Sequence, residues 1–131
     1  MEIVNKRAGK DYEILDKLEA GIALNGGEVR AVKMGRADLT GSFVKIIGSE
    51  AYLINARIYP FQSQVEEGYD LRRTRKLLLH KKEIIALKTR TAGQGLAVIP
   101  LSMYDSKANL IKLQIALAKG LRKFDKRRKK R

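Results

Sequence analysis

The sequence predicts a mainly β domain with short helices, in which about six short antiparallel strands close, or nearly close, into a small barrel. Segments rich in Val, Ile, Tyr and Phe recur along the chain and alternate apolar with polar residues. The connections between them are few, and no internal repeat is present. The 131 residues, of which 44% are hydrophobic, are enough for one compact domain with one core.

The first half of the chain carries three of the predicted strands. Tyr12–Leu24 is expected to be extended and to be broken by Gly21. Phe43–Ile47 and Ala51–Tyr59 are joined by Gly48-Ser49-Glu50, which is a hairpin signature. In the second of these strands apolar residues alternate with Asn and Arg, and this alternation is typical of a half-buried sheet.

Two short helices are predicted between the strands. Glu28–Met34 has apolar residues at helical spacing and is followed by a glycine. His80–Arg90 has the same kind of spacing, and Glu83 lies three residues after His80, as in a capping box, although histidine is a poor N-cap residue. Phe61–Arg75 shows no periodicity and is expected to be a surface loop.

Two closing strands are predicted near the C-terminus, separated by a polar turn at Asp105–Asn109. The first, Leu96–Tyr104, contains Pro100, which cannot donate to a sheet and should lie at an edge or a bulge. The second, Leu110–Ala118, also fits a helix. We predict a strand because the alternation is regular and because the preceding strand needs a partner.

The charge of the chain points to a polyanionic partner, with nucleic acid as the default. Lysine and arginine number 28 against 14 aspartate and glutamate, a net charge of +14. Lys119–Arg131 alone holds nine basic residues and one acid, a net charge of +8. Because such a block repels itself, we predict a barrel domain over residues 1–119 and a flexible basic tail over 120–131; a tail that serves only solubility is the alternative.

The composition also limits the location and the chemistry. The chain has no cysteine, which excludes disulfides, thiolate zinc sites and cysteine nucleophiles and is typical of a reducing cytoplasm. Neither a signal peptide nor an apolar run of the ~20 residues that a membrane helix needs is visible. We therefore expect a cytoplasmic protein with no membrane partner.

An enzyme is the weaker interpretation. The chain has a single histidine, so it has no pair of histidines to bind a metal. A Ser-His-Asp arrangement would have to use this one histidine. A magnesium-dependent nuclease would have to use one of two carboxylate sets, Glu66, Glu67 and Asp70 or Glu13, Asp16 and Glu19. Exposed acidic residues are ordinarily just solvated, so we expect no catalysis, no metal and no cofactor.

The strongest nucleic-acid signal is a cluster of basic residues without an intervening acid on either side of Leu77-Leu78-Leu79: Arg72, Arg73, Arg75, Lys76, Lys81 and Lys82. If the leucines pack inward, the charges are expected on one outer patch suited to the phosphates of a folded RNA. A solvated charge run is the alternative. A smaller basic group is formed by Lys6, Arg7 and Lys10.

Aromatic residues argue for structured RNA over a threaded single strand. They make up only 6% of the chain, whereas single-strand binders stack bases on several exposed rings. Tyr12, Tyr104 and Phe124 are candidates for single stacking contacts, although each such ring is more often part of a core.

Six ordered strings give the chain a family resemblance that spans Asn5 to Arg127. They are Asn5-Lys6-Arg7-Ala8 with Asp11-Tyr12, Glu19-Ala20-Gly21-Ile22, Gly27-Glu28-Val29-Arg30, Arg75-Lys76-Leu77-Leu78-Leu79-His80, Pro100-Leu101 with Met103-Tyr104, and Leu117-Ala118-Lys119-Gly120 with Asp125-Lys126-Arg127. Together they closely resemble the bacterial SsrA-binding protein family, SmpB.

The resemblance implies a six-stranded barrel of the oligonucleotide-binding type with three short helices, one of them over Asn5–Lys10. It implies an adaptor that binds the tRNA-like domain of transfer-messenger RNA (tmRNA) at its D-loop elbow and carries it into the empty A site of a stalled ribosome, beside small-subunit rRNA. Elongation factor Tu and alanyl-tRNA synthetase would be partners through the RNA, and the protein itself a monomer. A general or ribosomal RNA-binding protein of the same fold is the alternative.

The resemblance also implies an RNA-binding surface, made of Asn5, Lys6, Arg7, Glu19, Arg75, Lys76, Leu78, His80 and Lys81. Lys6 and Lys76 can neutralise phosphates, His80 can bond a base or ribose, and Leu78 can lie against an exposed base. Glu19 can either accept from a guanine edge or position a neighbouring lysine or arginine, and the sequence leaves both roles open.

The family's basic tail becomes helical in the mRNA channel beyond the decoding centre. Its counterpart in this chain includes Lys119, Asp125, Lys126, Arg127 and Arg128. Family members usually continue well beyond the Asp-Lys-Arg string, so this tail is either shortened or naturally short. If it is shortened, RNA binding should survive and ribosome rescue should fail.

Overall fold

A computed structural model describes residues 2–107 and 110–121. It contains nine strands, three α-helices and one short 3₁₀ turn, Gln62–Gln64, in these residues. The strands are β1 (Glu2–Val4), β2 (Tyr12–Ile22), β3 (Ala37–Asp38), β4 (Phe43–Ile47), β5 (Glu50–Ile54), β6 (Arg57–Ile58), β7 (Arg75–Leu78), β8 (Leu96–Asp105) and β9 (Ile111–Gly120). The helices are α1 (Ala8–Asp11), α2 (Gly26–Lys33) and α3 (Lys81–Thr91).

Six of the strands pair in a ring. The order is β8-β4-β5-β7-β2-β9, and β9 pairs back onto β8, with every pairing antiparallel. The ring is held at β4 and β8 by a single register pair, Val44 with Val98. β1 extends the sheet along β8, and β3 and β6 form a separate ribbon. The predicted mainly β, antiparallel fold with three helices is confirmed.

The ring encloses one main core. Its fully buried large apolar side chains come from most of the ring strands, the ribbon and the turn that follows β3: Leu39, Leu53, Ile58, Leu77, Met103, Leu113, Ile115 and Leu117. On the outer side of β8 and β9 a second cluster joins Ala8 of α1 to Ile99 and Ala118. β9 therefore has both faces covered over residues 115–118, and its prediction as a strand is confirmed.

Local chemistry explains where the elements begin and bend. α2 starts two residues earlier than predicted, because Asn25 accepts the Glu28 N–H (2.9 Å) while the Glu28 carboxylate accepts the Asn25 N–H (3.1 Å). α3 follows His80, whose N–H is accepted by Glu83 at 2.9 Å. The register between β8 and β9 shifts just after Pro100, so the predicted bulge is confirmed.

The structure departs from the sequence prediction at several strands. The predicted strand Ala51–Tyr59 is split into β5 and β6, because Asn55 has a left-handed backbone (φ 67°) and its side-chain amide donates to the Gly41 carbonyl at 3.2 Å. β2 runs through Gly21 without a break. β1 and β7 were not predicted, and the helix expected over Asn5–Lys10 is the shorter α1.

A buried charge network fastens α2 to β7. The carboxylate of Glu28 and the guanidinium of Arg75 are both fully buried, with Nε–Oε2 and Nη2–Oε2 distances of 3.0 and 2.8 Å. Arg73 and the Tyr69 hydroxyl also donate to this carboxylate. Arg75 further donates to the carbonyls of Ala56 (2.7 Å) and Leu71 (3.1 Å). The network thus ties β7 to α2 and to the segments on either side of β6.

The network keeps Glu28 ionised. Burial by itself raises the pKa of this carboxyl, but hydrogen bonds from Arg73, the Asn25 N–H, Arg75 and Tyr69 outweigh it and lower the pKa to about 2. The same surroundings, burial first and then the bond to Glu28, raise the pKa of Tyr69 to about 12.

No helix in residues 2–107 and 110–121 is both long and apolar enough to cross a membrane.

Removing the buried guanidinium should destabilise the fold strongly. We expect Arg75→Ala to lower the free energy of unfolding by about 3 kcal/mol, because it leaves the Glu28 carboxylate buried beside fewer donors. Arg72→Ala is the matched control, since Arg72 is exposed and its loss should cost less than about 0.5 kcal/mol. Urea denaturation of both variants measures the difference, and equal midpoints would contradict the assigned role of the network.

Acid should weaken the fold through Glu28. The folded pKa of about 2 lies below the ordinary value of 4.5, so the stabilisation is complete above the unfolded pKa and is lost as the pH falls from about 4.5 through 2. Urea denaturation between pH 2 and pH 6 should show this fall in the parent protein and a flatter profile in Glu28→Gln. Parallel profiles would show that another group causes the acid sensitivity.

Candidate nucleic-acid interface

An open groove of about 610 Å³ lies where β2, β7 and the start of α3 meet, and we call it the β2–β7 groove. Its lining combines charged, polar and apolar side chains: Glu19, Ala20, Gly21, Glu50, Lys76, Leu77, Leu78, Leu79, His80, Glu83 and Lys112. Four of the predicted RNA-binding residues, Glu19, Lys76, Leu78 and His80, are therefore brought together.

The alternation of β7 decides which side chains face the groove. Arg75 and Leu77 point inward and are buried, whereas Lys76 and Leu78 point outward and are exposed. Two register pairs, Gly21 with Leu78 and Ile22 with Leu77, attach β7 to β2. The N-terminal end of β7 is held to β5 by the pair Leu53 with Arg75.

Gly21 makes room for the exposed Leu78. A Cβ at position 21 would lie 3.2 Å from the Leu78 Cβ, which is closer than ordinary packing allows. The glycine thus lets Leu78 pack close to β2 while 56% of the residue remains exposed. An apolar side chain held in this way in a polar groove is suited to contact the face of an unpaired base.

The side chains that line the groove carry no excess of positive charge. Lys76 pairs with Glu50 at 3.3 Å, and Lys112 pairs with Glu19 at 3.0 Å. Glu83 adds a third carboxylate, which accepts the His80 N–H. A phosphate that enters must take a lysine away from its carboxylate, so the groove favours ligands that also satisfy those carboxylates.

The prediction that Arg75 belongs to an outer basic patch is wrong, and Arg73 is only partly available on the surface. Arg75 is fully buried in an ion pair with Glu28. The guanidinium of Arg73 pairs with the same carboxylate, and 36% of the Arg73 side chain is exposed. A contact between Arg75 and RNA is thereby excluded in this fold. Lys81 and Lys82 are exposed in the first turn of α3, directly after His80, but do not line the groove.

The N-terminal group of predicted RNA-binding residues lies elsewhere. Asn5 is buried and has a structural role, because its N–H donates to Leu101 O (2.8 Å) and its side-chain amide to Pro100 O (2.9 Å). Arg7 is exposed and pairs with Asp11 at 3.3 Å. Both Asn5 and Arg7 line a separate cleft of about 660 Å³ beside α1.

Lys6 is exposed and also lies outside the groove lining. Its charge acts on Asp38: the Thr40 N–H is the main cause that lowers the pKa of this carboxyl, and Arg57 and Lys6 add to the effect. α1 precedes β2, whereas Glu19 lies near the far end of that strand, so about 25 Å of strand separates α1 from the groove at ~3.3 Å per residue.

Of the residues that the resemblance assigns to the ribosome contact, Lys119 lies within residues 2–107 and 110–121; it is exposed near the end of β9, which runs one residue into the predicted tail. The next residues stay beside α1, because the Leu121 N–H donates to the Asp11 carbonyl at 2.9 Å. Asp125, Lys126, Arg127 and Arg128, like the stacking candidate Phe124, lie outside the described residues.

Both carboxylate oxygens of Glu19 accept hydrogen bonds from other side chains of the protein. The Tyr104 hydroxyl donates a short hydrogen bond to its Oε2, and Lys112 Nζ donates to Oε1 at 3.0 Å. The bond from Tyr104, followed by that from Lys112, lowers the pKa of Glu19. Burial and the bond to Glu19 raise the pKa of Tyr104 to about 12, so Glu19 is ionised and Tyr104 is protonated at neutral pH.

Three of the six carboxylates considered for metal chemistry, Asp16, Asp70 and Glu19, have other partners. Asp16 pairs with Arg90 at 3.1 Å, and Asp70 accepts the Arg72 N–H at 2.9 Å. Within residues 2–107 and 110–121, no three His, Asp or Glu side chains are grouped to hold a metal ion.

Sequence reasoning missed Glu50, Glu83 and Lys112 as part of the groove. Glu50 and Lys112 reach it only through strand register, because Lys112 is paired with Gly21 across β2 and β9. Glu83 was singled out as a helix-capping residue, and its place beside His80 is the one signal that could have located it.

Comparisons with known proteins identify the family of the chain. A sequence model of the family described as SmpB protein matches residues 2–131. The chain is 48% identical to the SsrA-binding protein of Wolinella succinogenes, over 94% of this chain and 82% of the relative. It is 43% identical to those of Carboxydothermus hydrogenoformans (94% and 82% covered) and Thermus thermophilus (95% and 86% covered).

A solved structure described as "tmRNA-SmpB: a journey to the center of the bacterial ribosome" is also similar. Its chain is 40% identical to this one, the match covers 99% of this chain and 94% of that one, and the TM-score is 0.77.

Proposed function

Because this chain belongs to the SmpB family, we propose that it is the RNA-binding adaptor of trans-translation. It binds tmRNA and brings it to the stalled ribosome, where incomplete proteins are tagged. It makes and breaks no bond itself. The convergence of Glu19, Lys76, Leu78 and His80 on the β2–β7 groove carries the proposal, because it gives the RNA one defined surface.

The proposed ligand of the groove is the D-loop elbow of the tRNA-like domain. Leu78 offers an apolar contact for an unpaired base, and the exposed His80 offers a hydrogen bond to a base or ribose. Lys76 can exchange Glu50 for a phosphate, since half of its side chain is already exposed. A folded loop presents these three features together, whereas a regular duplex hides its base faces.

Two scales of electrostatics support this assignment. The net charge of +14 attracts RNA of any sequence from a distance. Within the groove the lysines are matched by carboxylates, so affinity there depends on whether the RNA has donors for Glu19 and Glu50. This division favours a binder of one RNA shape over a general RNA-binding protein.

The remaining parts of the proposal concern the wider assembly. The protein acts in the cytoplasm as a monomer and occupies the ribosomal A site beside small-subunit rRNA. Lys119 and the basic residues after it contact the ribosome, and elongation factor Tu and alanyl-tRNA synthetase are reached through the bound RNA. Lys6, Arg7 and Lys81, which are exposed outside the groove, provide additional phosphate contacts.

The salt dependence of RNA affinity should distinguish contacts to phosphates from the other contacts in the groove. We expect the tRNA-like domain to bind with a Kd of about 10 nM at physiological salt, and log affinity to fall steeply with log salt. Lys76→Ala should weaken binding by about 1 kcal/mol and lower the slope by about one unit.

Lys17→Ala is the matched control for Lys76→Ala, because Lys17 is exposed on β2 but does not line the groove. Fluorescence anisotropy over a salt series measures both variants. Equal affinity for an unrelated hairpin of the same length would contradict the adaptor and favour a general RNA binder.

An acidic side chain in place of the exposed leucine should abolish recognition and spare the fold. We expect Leu78→Asp to weaken binding of the tRNA-like domain at least tenfold, because it removes the apolar contact and adds a charge that repels phosphate. Leu110→Asp is the control, since Leu110 is similarly exposed (59%, against 56% for Leu78) but lies outside the groove. Thermal melting checks both folds, and equal RNA affinities would remove the groove from the interface.

A further inference from the structure

We propose that Tyr104 and Lys112 position the Glu19 carboxylate as a hydrogen-bond acceptor for the Watson–Crick edge of a guanine in the bound RNA. The inference rests on the proposed function, since it requires RNA in the β2–β7 groove. It makes Tyr104 a positioning residue that acts through Glu19, and it gives Glu19 a base-reading role.

The three side chains come from three adjacent strands. Lys112 of β9 is in register with Gly21 of β2 on one side and with Tyr104 of β8 on the other. Tyr104 and Lys112 thus reach the carboxylate from the side away from β7, and each donates to a different oxygen. This arrangement fixes both the tilt and the rotation of the carboxylate.

The fixed carboxylate keeps capacity for a ligand. An ionised carboxylate offers about four lone-pair positions, so each oxygen of Glu19 retains one after binding Tyr104 or Lys112. Half of the side chain is exposed, and it lines the groove beside Leu78. The free positions therefore belong to a ligand in the groove.

The chemistry of the bases selects guanine. A carboxylate repels phosphate and accepts only from N–H or O–H groups. Guanine alone presents two neighbouring donors, N1–H and the N2 amino group, on its Watson–Crick edge, and their spacing matches the two oxygens of one carboxylate. With Leu78 beside Glu19, the base can be held by its face and its edge at once.

Tyr104 is the better anchor of the two donors. The Lys112 side chain is 35% exposed and has a long flexible stem, so it holds the carboxylate less rigidly. The tyrosine ring is only partly exposed, has few rotatable bonds, and delivers its hydroxyl at a fixed place. Loss of the hydroxyl should leave the carboxylate free to rotate away from the geometry that guanine needs.

The test uses the full chain and the tRNA-like domain as the probe, transcribed or synthesised with each D-loop guanine replaced singly by inosine, which lacks the N2 amino group. We expect one inosine position to weaken binding to the parent protein about tenfold and to weaken binding to Tyr104→Phe much less. Tyr104→Phe itself should weaken binding of the unmodified RNA about tenfold with an unchanged salt slope, because no phosphate contact is lost.

Tyr59→Phe is the matched control, since Tyr59 is an exposed tyrosine that does not line the groove, and we expect its affinity to be unchanged. The double variant Glu19→Gln with Tyr104→Phe should bind no more weakly than Glu19→Gln alone. If the two losses add, Tyr104 acts on the fold and not through Glu19, and the inference is overturned.

The inosine series on the parent protein keeps the inference testable even if Tyr104→Phe melts at a much lower temperature. Equal binding of every inosine-substituted RNA would overturn the guanine contact while leaving tmRNA recognition intact. Failure of the parent protein to bind the unmodified RNA would instead overturn the proposed function.

Discussion

The buried ion pair between Glu28 and Arg75 is the constraint on which the groove depends. Arg75 is the first residue of β7, and its guanidinium reaches hydrogen-bond partners only if it points inward. Because side chains of a strand alternate, this choice places Leu77 in the core and Lys76 and Leu78 on the surface. A shift of one residue would expose Arg75 and Leu77 and bury Lys76 and Leu78. The core and the groove are thus specified by the same contact.

The net charge of the chain and the charge of the groove have different tasks. The excess of basic residues acts over long distances and does not distinguish one RNA from another. In the groove, Lys76 is paired with Glu50 and Lys112 with Glu19. These ion pairs weaken the attraction of the groove for a phosphate alone. An RNA that supplies base donors as well as phosphates can satisfy both members of each pair. In the proposed complex, such matching would add selectivity to the general attraction.

Strand and helix positions were largely predictable, because they follow from alternation, glycines and capping residues that act locally. Leu96–Tyr104 and Leu110–Ala118 were placed correctly, and even the bulge near Pro100 followed from the missing N–H. β7 was missed because four residues flanked by charges carry too little periodic signal.

The site was only partly predictable, because burial and register depend on distant residues. The sequence cannot show that an arginine in a basic run is internal, since its partner Glu28 lies 47 positions away. Lys112 and Tyr104 join Glu19 only through pairings of β9 with β2 and β8. The resemblance located Glu19, Leu78 and His80 together, but it could not separate the outward Lys76 from the inward Arg75.

The hydrogen bond from the Leu121 N–H to the Asp11 carbonyl holds the residue that follows β9 beside α1. α1 lies at the opposite end of β2 from the groove, and about 25 Å of that strand separates the two at ~3.3 Å per residue. The length of β2 therefore sets the spacing between α1 and the groove. One molecule docked in the groove and another docked beside α1 would not compete for space, and the distance between them would be set by the folded domain itself.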